Sequence, residues 1–260
     1  MWLANRLFPS VRRLQARLAE AEARAAAAKA DEFNPFEGGL DARGQYRATW
    51  QALSKTDESA RQSIIGNADM ALFESLAAAD LAVLQRTVGL QSSDDVLEIG
   101  CGAGRLGKVV APLVRSWTGC DVSENMLGLA KERLAGQTNV RLALVSGNSL
   151  AQIADASIDV VYCAVVFMHI WEFDRFSYVL DAYRVLRPRG RIYIDNLTLC
   201  SDLGWQMFER DRLSYTAGNR PPHISTYSTP QELEAYLLRA GFREIESSID
   251  GKWLRAWAAK

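Results

Sequence analysis

The second half of the chain alternates short, nearly continuous apolar runs with longer segments whose apolar residues recur at helical spacing. The runs occupy residues 94–100, 116–122, 140–147, 157–166 and 190–196, and the helical segments between them occupy residues 105–114, 123–136 and 172–188. Continuous apolar runs are typical of strands buried on both faces, and helices between such strands form right-handed crossovers. The alternation predicts a doubly wound α/β fold with a mostly parallel sheet.

Single residues predict where some of these elements begin. Ser123 is a favourable N-cap for the helix after the second strand. Thr229 and Glu232 have the spacing of a capping box, with a proline at the first helical position between them. The Asp-Gly pair at 250–251 predicts a hairpin, which adds antiparallel strands at one edge and gives a seven-stranded sheet. Residues 197–229 have no clear period and are predicted to form an irregular insert that covers the end of the sheet as a cap.

Residues 1–32 have the composition of a separate helical arm. Apolar residues recur there at intervals of four and three, at Leu7, Val11, Leu14, Leu18, Ala21, Ala25 and Ala28. Three interpretations of the arm stay open. The heptad pattern favours a short coiled coil that makes a homodimer, and the basic first half favours a helix on an anionic membrane surface. The third interpretation is a helix that covers its own domain. Residues 33–44 are predicted to be a linker, and residues 45–260 the main domain.

Composition and charge argue against several classes of function. The chain has 260 residues, of which 48% are hydrophobic, and a net charge of −1. A balanced charge lacks the basic surface of nucleic-acid-binding proteins, so we expect no nucleic-acid partner. The cysteines are widely spaced, which argues against a zinc site or a disulfide framework. With no apolar run of about 18 residues and no secretory signal, we expect a cytoplasmic protein, whose arm would at most touch the inner membrane surface.

The stretch VLEIGCGAGRLG at residues 96–107 contains two overlapping glycine patterns. Starting at Gly102, the glycines match the G-x-G-x-x-G dinucleotide fingerprint; starting at Gly100, they form G-x-G-x-G. The predicted strand ends at Ile99, so the turn begins at Gly100. A dinucleotide fingerprint beginning there needs a third glycine at the position of Arg105. The dinucleotide interpretation is therefore rejected.

The remaining pattern suits a nucleoside ligand without a diphosphate. Gly100, Gly102 and Gly104 allow the backbone to approach such a ligand closely. Asp121, at the end of the second strand, is suited to accept hydrogen bonds from both hydroxyls of a ribose. Glu98, inside the first strand, is suited to attract a cationic end of the ligand.

These residues belong to a longer ordered series of motifs. VLEIGCGAGRLG, GCDVSENML, LVSGNSL, SIDVVYCAVVFMHI, YRVLRPRGRIYI and STPQELEAYLLRAGF follow one another over residues 94–260. In this order they resemble the class I S-adenosylmethionine-dependent methyltransferases. The resemblance implies a Rossmann-like fold, a methyltransferase activity and S-adenosyl-L-methionine as the cofactor.

The resemblance also implies roles at the cofactor. Gly100, Cys101 and Gly102 would line the methionine part, Asp121 would hold the ribose, Val122 and Met126 would pack on the adenine, and Asn148, Ser149, Leu150 and the carbonyl of Ala164 would meet its edge. The family usually has Asp where this chain has Asn148, whose amide oxygen still accepts a hydrogen bond from the adenine amino group. The family also often has two glycines where this chain has Arg189 and Gly190, a position away from the chemistry.

The acceptor side offers few candidates for catalysis. Methyl transfer is an in-line displacement that depends on alignment, and an alcohol acceptor benefits from a general base. His169, just after the fourth strand, is the candidate base; the alternative is a histidine that packs under the next helix. His223, in the insert, is a weaker candidate or an exposed loop residue. Tyr46 and Trp50 would shield the cofactor or simply pack.

Asp195, at the end of the fifth strand, is a candidate for a substrate contact or a metal ligand. No cluster of three acids accompanies it in the sequence, so a divalent metal is not expected. By similarity to a bacterial subgroup, the favoured function is O-methylation of a sugar or glycan hydroxyl. The alternatives are a small-molecule N- or C-methyltransferase and a non-catalytic cofactor-binding scaffold in an assembly.

Overall fold

Helices and strands alternate in the order that the apolar pattern predicts. The structure is a computed structural model that describes residues 42–216, 220–221 and 223–260. The helices are α1 (Ala42–Leu53), α2 (Asp57–Ile65), α3 (Met70–Thr87), α4 (Gly107–Val110), α5 (Glu124–Arg133), α6 (Glu172–Val185), α7 (Asp202–Ser214) and α8 (Pro230–Ala240). The strands are β1 (Asp95–Ile99), β2 (Ser116–Asp121), β3 (Val140–Leu144), β4 (Ile158–Cys163), β5 (Leu186–Thr198), β6 (Tyr227–Ser228), β7 (Arg243–Asp250) and β8 (Trp253–Ala259). Short 3-10 helices cover Ala111–Leu113 and Phe167–His169.

The strands form one sheet in the order β3-β2-β1-β4-β5-β8-β7. Strands β1 to β5 pair in parallel, whereas β8 is antiparallel to both β5 and β7. This arrangement confirms the predicted fold class. Within the described residues the sheet has eight strands instead of the predicted seven, because Tyr227 and Ser228 of the insert form β6 beside the end of β5.

Adjacent residues of the central strands point to opposite faces, and each face is covered by its own apolar cluster. Leu97 and Val161 lie in the cluster that includes side chains of α6 and α8, whereas Val96 and Val160 lie in the cluster that includes side chains of α3 and α5. Burial on both faces explains the continuous apolar runs in the sequence. It leaves the loops at the carboxyl ends of the strands to build a site.

Three glycines at alternate positions follow the end of β1. Their φ angles are +72° at Gly100, +51° at Gly102 and +78° at Gly104, a region that side chains disfavour. Gly107 has no positive φ and begins α4, where a Cβ would lie 2.6 Å from the Trp117 ring. The register that starts at Gly100 is therefore confirmed, and Gly107 serves close packing.

The helix predicted over residues 172–188 ends early. α6 stops at Val185, and β5 already includes Pro188. A proline lacks the N–H that a helix needs and pushes the residue before it out of the helical conformation. Leu186, two residues before the proline, is already extended, and the pairing of β5 with β4 shifts register before Arg191. β5 thus spans Leu186–Thr198, longer than the predicted strand at 190–196.

The insert at 197–229 contains a helix that the sequence analysis did not predict. α7 begins after Ser201, whose Oγ accepts a hydrogen bond from Gly204 N at 3.1 Å. A Cβ on Gly204 would overlap the carbonyl oxygen of Thr198. The glycine, which weakens helix propensity, is therefore the residue that lets α7 lie against the end of β5.

The predictions for the arm at residues 1–32 and for most of the linker at 33–44 lie outside the described residues. α1 begins at Ala42, so the last residues of that linker are helical. Within the described ranges, no helix is both long enough and apolar enough to cross a membrane.

Candidate active site

A cleft of about 810 Å3, a volume that includes its opening to solvent, lies at the carboxyl ends of β1, β2 and β4. Doubly wound sheets bind their ligands at this place. The cleft brings together most of the residues predicted for the cofactor: Glu98, Gly100, Cys101, Gly102, Asp121, Val122, Met126 and Ala164. The candidate base His169 also lines it, as do Tyr46 and Trp50 of α1, so these two aromatic residues do form part of its wall.

The glycine turn leaves room where side chains would fill the cleft. A Cβ on Gly100 would overlap the Val166 side chain, and a Cβ on Gly102 would lie 3.1 Å from Ile64 Cδ1. Gly104 does not line the cleft; a Cβ there would lie 3.2 Å from Ala130 Cα of α5. Gly100 and Gly102 therefore shape the ligand cradle, and Gly104 allows close helix packing.

Asp121 is held at the end of β2 by backbone donors. Its Oδ2 accepts a hydrogen bond from Gly102 N at 2.9 Å, and its Oδ1 accepts one from Ser123 N at 2.9 Å. Burial raises the pKa of the carboxyl to about 6. Each oxygen keeps a further lone pair, so the carboxylate fits the predicted contact with two ribose hydroxyls. The turn and this acid together fit an adenosyl cofactor.

Glu98 faces the cleft at the end of a buried chain of hydrogen bonds. Trp117 Nε1 donates to the Tyr162 hydroxyl at 2.9 Å, and that hydroxyl donates to Glu98 Oε2 at 2.7 Å. Burial raises the pKa of Glu98 to about 8, against the opposing effect of the Tyr162 hydrogen bond and the charge of Arg105. A cation beside this carboxyl would favour its ionised form.

Only some of the residues predicted to contact the adenine line the cleft. Asn148, Ser149 and Leu150 do not line it, and the wall nearby consists of Val145 and Gly147. Ser149 Oγ and Leu150 N instead donate to Asp181 of α6, at 3.0 and 2.6 Å. These two groups fasten the loop after β3 to α6, and their contacts with the adenine stay a prediction.

His169 is fixed in a defined orientation. Its Nδ1 lies 2.8 Å from the carbonyl oxygen of His223, and its ring meets the Trp50 ring edge-on, with centroids 5.1 Å apart. A carbonyl oxygen only accepts, so Nδ1 carries the proton and Nε2 is left as a base. Burial lowers the pKa of His169 to about 4, which keeps the imidazole neutral near pH 7. His223 contributes its backbone carbonyl, whereas its side chain does not line the cleft.

Arg175 of α6 joins the turn that carries His169 to the end of the insert and to α8, and no sequence pattern predicted this role. Its Nε donates to the carbonyl oxygens of Phe167 and Ile170, at 2.8 and 3.1 Å. Its other nitrogens donate to Ser228 Oγ, Glu232 Oε1 and Thr226 Oγ1. The side chain is 1% exposed. The only signal in the sequence was a cation within the apolar face of a predicted helix.

The predicted capping box at α8 is wrong, and Arg175 explains why. Thr229 makes no side-chain hydrogen bond at the helix start. Glu232 does not reach back to the cap, because its carboxylate accepts hydrogen bonds from Arg175 and from the Tyr236 hydroxyl, both at 2.9 Å.

Asp195 does not line the cleft, contrary to the expectation of a substrate or metal contact. Its Oδ1 accepts a hydrogen bond from Val165 N at 2.7 Å, and its Oδ2 accepts one from the Tyr193 hydroxyl at 3.1 Å. Val165 lines the cleft with φ +62°, an unusual conformation for a β-branched residue. Asp195 therefore supports the cleft wall from behind. No group of three or more His, Cys, Asp or Glu side chains among the described residues is arranged to hold a metal ion.

Known proteins resemble this chain in sequence. A profile of the methyltransferase domain matches residues 96–190. A probable S-adenosylmethionine-dependent methyltransferase of Mycolicibacterium smegmatis is 30% identical over 173 residues, covering 64% of this chain and 58% of that protein. A ubiquinone biosynthesis O-methyltransferase of Pseudomonas fluorescens is 28% identical over 115 residues, covering 44% of this chain and 48% of that protein. The chain thus spans less than two thirds of the length of these curated relatives.

Solved structures also resemble it. Phosphoethanolamine N-methyltransferase 1 of Haemonchus contortus, determined with phosphoethanolamine and S-adenosylhomocysteine, superposes with a TM-score of 0.64 at 20% identity. The match covers 84% of this chain and 48% of that one. At this identity the likeness shows that the two proteins share a fold.

Proposed function

We propose that this chain, which belongs to the class I S-adenosylmethionine-dependent methyltransferases, transfers a methyl group to a hydroxyl of a small polyhydroxylated acceptor, a sugar or glycan. The observation that carries this proposal is the setting of His169, a neutral imidazole in the cleft with Nδ1 bound to a carbonyl. An alcohol is a weak nucleophile and gains most from such a base.

Different residues of the cleft bind the cofactor and activate the acceptor. S-adenosylmethionine, when bound, supplies a methyl group on a positively charged sulfur. Gly100 and Gly102 allow the close approach of its methionine part, and Asp121 holds the ribose hydroxyls. His169 Nε2 takes the proton of the acceptor hydroxyl as the oxygen attacks in line. The His223 carbonyl stabilises the imidazolium that results, because Nδ1 stays its donor.

The insert supports an acceptor with both polar and apolar faces. Thr226 N donates to the Met168 carbonyl at 2.7 Å, so the returning insert runs beside the turn that carries His169. Trp205, Phe208 and Tyr227 form an aromatic group on α7 and β6 beyond the lining of the cleft, with Trp205 half exposed. Exposed aromatic rings suit the apolar face of a sugar ring. The name of the Pseudomonas relative, an O-methyltransferase, agrees with a hydroxyl acceptor.

N-methylation of a small amine is the second candidate. It is favoured by the similarity to a phosphoethanolamine N-methyltransferase. A neutral amine attacks without a base, so this reaction would depend much less on His169.

Transfer of labelled methyl from S-adenosylmethionine tests these candidates directly. The purified protein is incubated with sugars and glycans, phenols and primary amines, and the linkage of the label is read by mass spectrometry. We expect a methyl ether on a sugar hydroxyl. Label on nitrogen would support the second candidate. Cofactor binding without transfer to any acceptor would favour a non-catalytic scaffold.

We further propose a cytoplasmic protein that forms a homodimer through residues 1–32, on the basis of the heptad pattern. Sedimentation of the full chain and of a chain that begins near residue 40 tests this. A dimer in the first and a monomer in the second are expected. If the arm binds anionic vesicles and the full chain is monomeric, its role is at the membrane surface.

A further inference from the structure

Val165 is the point at which the chain leaves β4 and turns towards the candidate base. Its φ angle is +62°, a region that β-branched side chains adopt only under constraint. Strained residues of this kind persist where surrounding contacts hold them, and they concentrate at functional sites. The proposed function has not explained why the chain keeps this strain.

Two contacts fix the backbone at Val165 from its two sides. On the side of β4, Val165 N donates to Asp195 Oδ1 at 2.7 Å, which sets the direction of its N–H bond. On the far side, Val166 packs closely on the glycine turn, where a Cβ on Gly100 would overlap its side chain. The torsion φ of Val165 lies between these two anchors, so together they keep it positive.

Asp195 is a well-supported anchor. It is 5% exposed and lies on β5, between β4 and β8 of the sheet. Its second carboxylate oxygen accepts a hydrogen bond from the Tyr193 hydroxyl at 3.1 Å, and the charge of Arg255 on β8 favours the ionised carboxylate. A charged acceptor binds a backbone N–H more strongly than a neutral one. The hydrogen bond to Val165 N can therefore offset part of the backbone strain.

The turn that carries His169 follows directly on Val165. His169 N donates to the Val166 carbonyl at 2.8 Å, which closes the short 3-10 helix. At its other end, the His169 ring is held by the His223 carbonyl, 2.8 Å from Nδ1. A change of φ at Val165 would rotate this turn and move the ring away from that carbonyl. The position of the candidate base thus depends on a carboxylate that lies outside the cleft.

We propose that Asp195 is a positioning residue of the reaction: by holding Val165 in its strained conformation, it places the His169 imidazole so that Nδ1 meets the His223 carbonyl and Nε2 is left for the acceptor. The inference rests on the proposed function, in which His169 is the base. Asp195 itself touches neither the acceptor nor the cofactor, so it affects turnover only through the geometry of His169.

Nitrogen-15 NMR of the full chain, labelled in histidine, tests this without any acceptor. The chain has 2 histidines, and the spectrum of His223→Ala assigns the two sets of signals. In the parent we expect a neutral His169 with its proton on Nδ1, because the hydrogen bond of Nδ1 sets the tautomer. Asp195→Ala should lose this Nδ1–H signature. Asp195→Asn, whose amide oxygen still accepts from Val165 N, should keep it.

Turnover with a hydroxyl acceptor is the second measurement. In Asp195→Ala it should fall about tenfold or more, because a small misplacement of a reacting group slows a reaction to that extent. Affinity for S-adenosylhomocysteine should stay within about threefold of the parent. Asp195→Asn should retain most of the turnover.

Val165→Gly distinguishes positioning from a general role in the fold. A glycine adopts a positive φ without strain, so the turn then needs less support from Asp195. The loss of turnover caused by Asp195→Ala should therefore be smaller in the Val165→Gly background than in the parent. Asp181→Ala is the control, because Asp181 also accepts from a loop N–H, that of Leu150 at 2.6 Å, in another part of the chain. This control should leave the His169 signals unchanged.

The outcomes separate the inference from the proposed function. If the parent shows the Nδ1–H tautomer but methylates no hydroxyl, the proposed function fails, and the tautomer in the Asp195 variants still tests the positioning. If Asp195→Ala keeps the parent's tautomer and turnover, or loses turnover equally in both backgrounds, the inference is overturned. Should Asp195→Ala fail to fold, Asp195→Ser replaces it, since its hydroxyl oxygen lies one bond further from Val165 N, and the same losses are expected.

Discussion

The two halves of the cleft are built by contacts of different range. In the cofactor half, residues 98–126, the glycine turn is held by a neighbouring piece of chain, because Gly102 N donates to Asp121 across 19 residues. Glu98 adds one distant contact, the hydrogen bond from Tyr162 across 64 residues. The same short segment contains the turn glycines and the acid of β2. A local motif therefore specifies both the backbone conformation and the ligand contacts of this half.

The acceptor half, residues 165–175 together with 223–232, depends on distant contacts. His169 meets the His223 carbonyl across 54 residues, and Arg175 meets Glu232 across 57. Nothing in either segment alone fixes this arrangement. The residues proposed to bind the cofactor thus lie in one continuous motif, whereas the segments proposed to bind the acceptor are joined by a few long-range polar contacts.

Removal of Arg175 should have the largest effect. In Arg175→Met the carbonyls of Phe167 and Ile170 lose their donor, and Glu232 loses its ion pair. We expect the free energy of unfolding to fall by about 3–5 kcal/mol, as when one partner of a buried pair is removed. Urea denaturation followed by circular dichroism measures this. Where the variant folds, affinity for S-adenosylhomocysteine should change by less than about threefold, since the cofactor half is separate.

Arg212→Met is the matched control, because this arginine of α7 is 55% exposed and pairs only locally with Glu209. It should cost less than about 1 kcal/mol. An equal loss of stability in both variants would mean that Arg175 is no special link, and the proposed difference between the halves would fail.

Sequence patterns predict the structural features that nearby residues in the chain determine. Burial on both faces makes a strand visible as an apolar run, and a positive φ makes a glycine necessary at Gly100. The sequence also contains a signal for the end of α6, because Pro188 disfavours helix before it. The predicted helix nevertheless extended to residue 188, three residues beyond its actual end. These features need no knowledge of the rest of the chain.

The missed features all depend on tertiary contacts. Gly204 weakens α7 in isolation and is explained only by the nearby Thr198 carbonyl. Asp195 lies at the correct edge of the sheet, yet its carboxylate turns to Val165 N, because that strained backbone needs an acceptor. The role of Arg175 depends on partners that lie on two other segments. Propensity and periodicity contain none of this information.

Replacement of His169 should have the next largest effect, and on turnover alone. In His169→Ala we expect turnover with a hydroxyl acceptor to fall about 100-fold, the usual contribution of a general base. Affinity for S-adenosylhomocysteine should stay within about threefold, because the cofactor contacts lie in the other half. Methyl transfer assays and calorimetry measure the two quantities.

His223→Ala is the control, since it keeps the backbone carbonyl that holds His169. Its turnover should stay within about threefold of the parent, the scale of a surface substitution. A large loss of turnover in His223→Ala, combined with near-normal turnover in His169→Ala, would mean that His223 is the general base and His169 is not.

The pH dependence of cofactor affinity should show a moderate effect that belongs to the cofactor half. Burial raises the pKa of Glu98 to about 8 and that of Asp121 to about 6. Each carboxyl is expected to meet the ligand in its ionised form, so affinity should fall as pH falls through these values. Calorimetry with S-adenosylhomocysteine from pH 8.5 to 5.5 should show a loss of about tenfold or more through the Glu98 step. The loss through the Asp121 step should be at most about fourfold, because its pKa of about 6 lies close to the lower limit of this range.

Replacing each carboxylate by its amide shows which residue causes each of the two steps in the pH profile of cofactor affinity. Glu98→Gln should remove the upper step and Asp121→Asn the lower one, each with weaker binding at high pH. Asp195→Asn is the control: burial raises its pKa to about 7, but it does not line the cleft, so the profile should stay as in the parent. A profile that is flat in the parent would contradict the direct contact of these carboxylates with the ligand.

The smallest effects should come from two helix caps, one in each half. Ser123 Oγ accepts a hydrogen bond from Met126 N at 3.2 Å, as its sequence predicts, and also donates to Gln51 Oε1 of α1 at 2.7 Å. Thr229 makes no side-chain cap bond. Ser123→Ala should therefore lower the free energy of unfolding by about 1–2 kcal/mol, and Thr229→Ala should change it by less than about 0.5 kcal/mol. Urea denaturation of both variants measures the difference. Equal losses would show that α8 is capped locally after all, and that the acceptor half relies on local sequence as much as the cofactor half does.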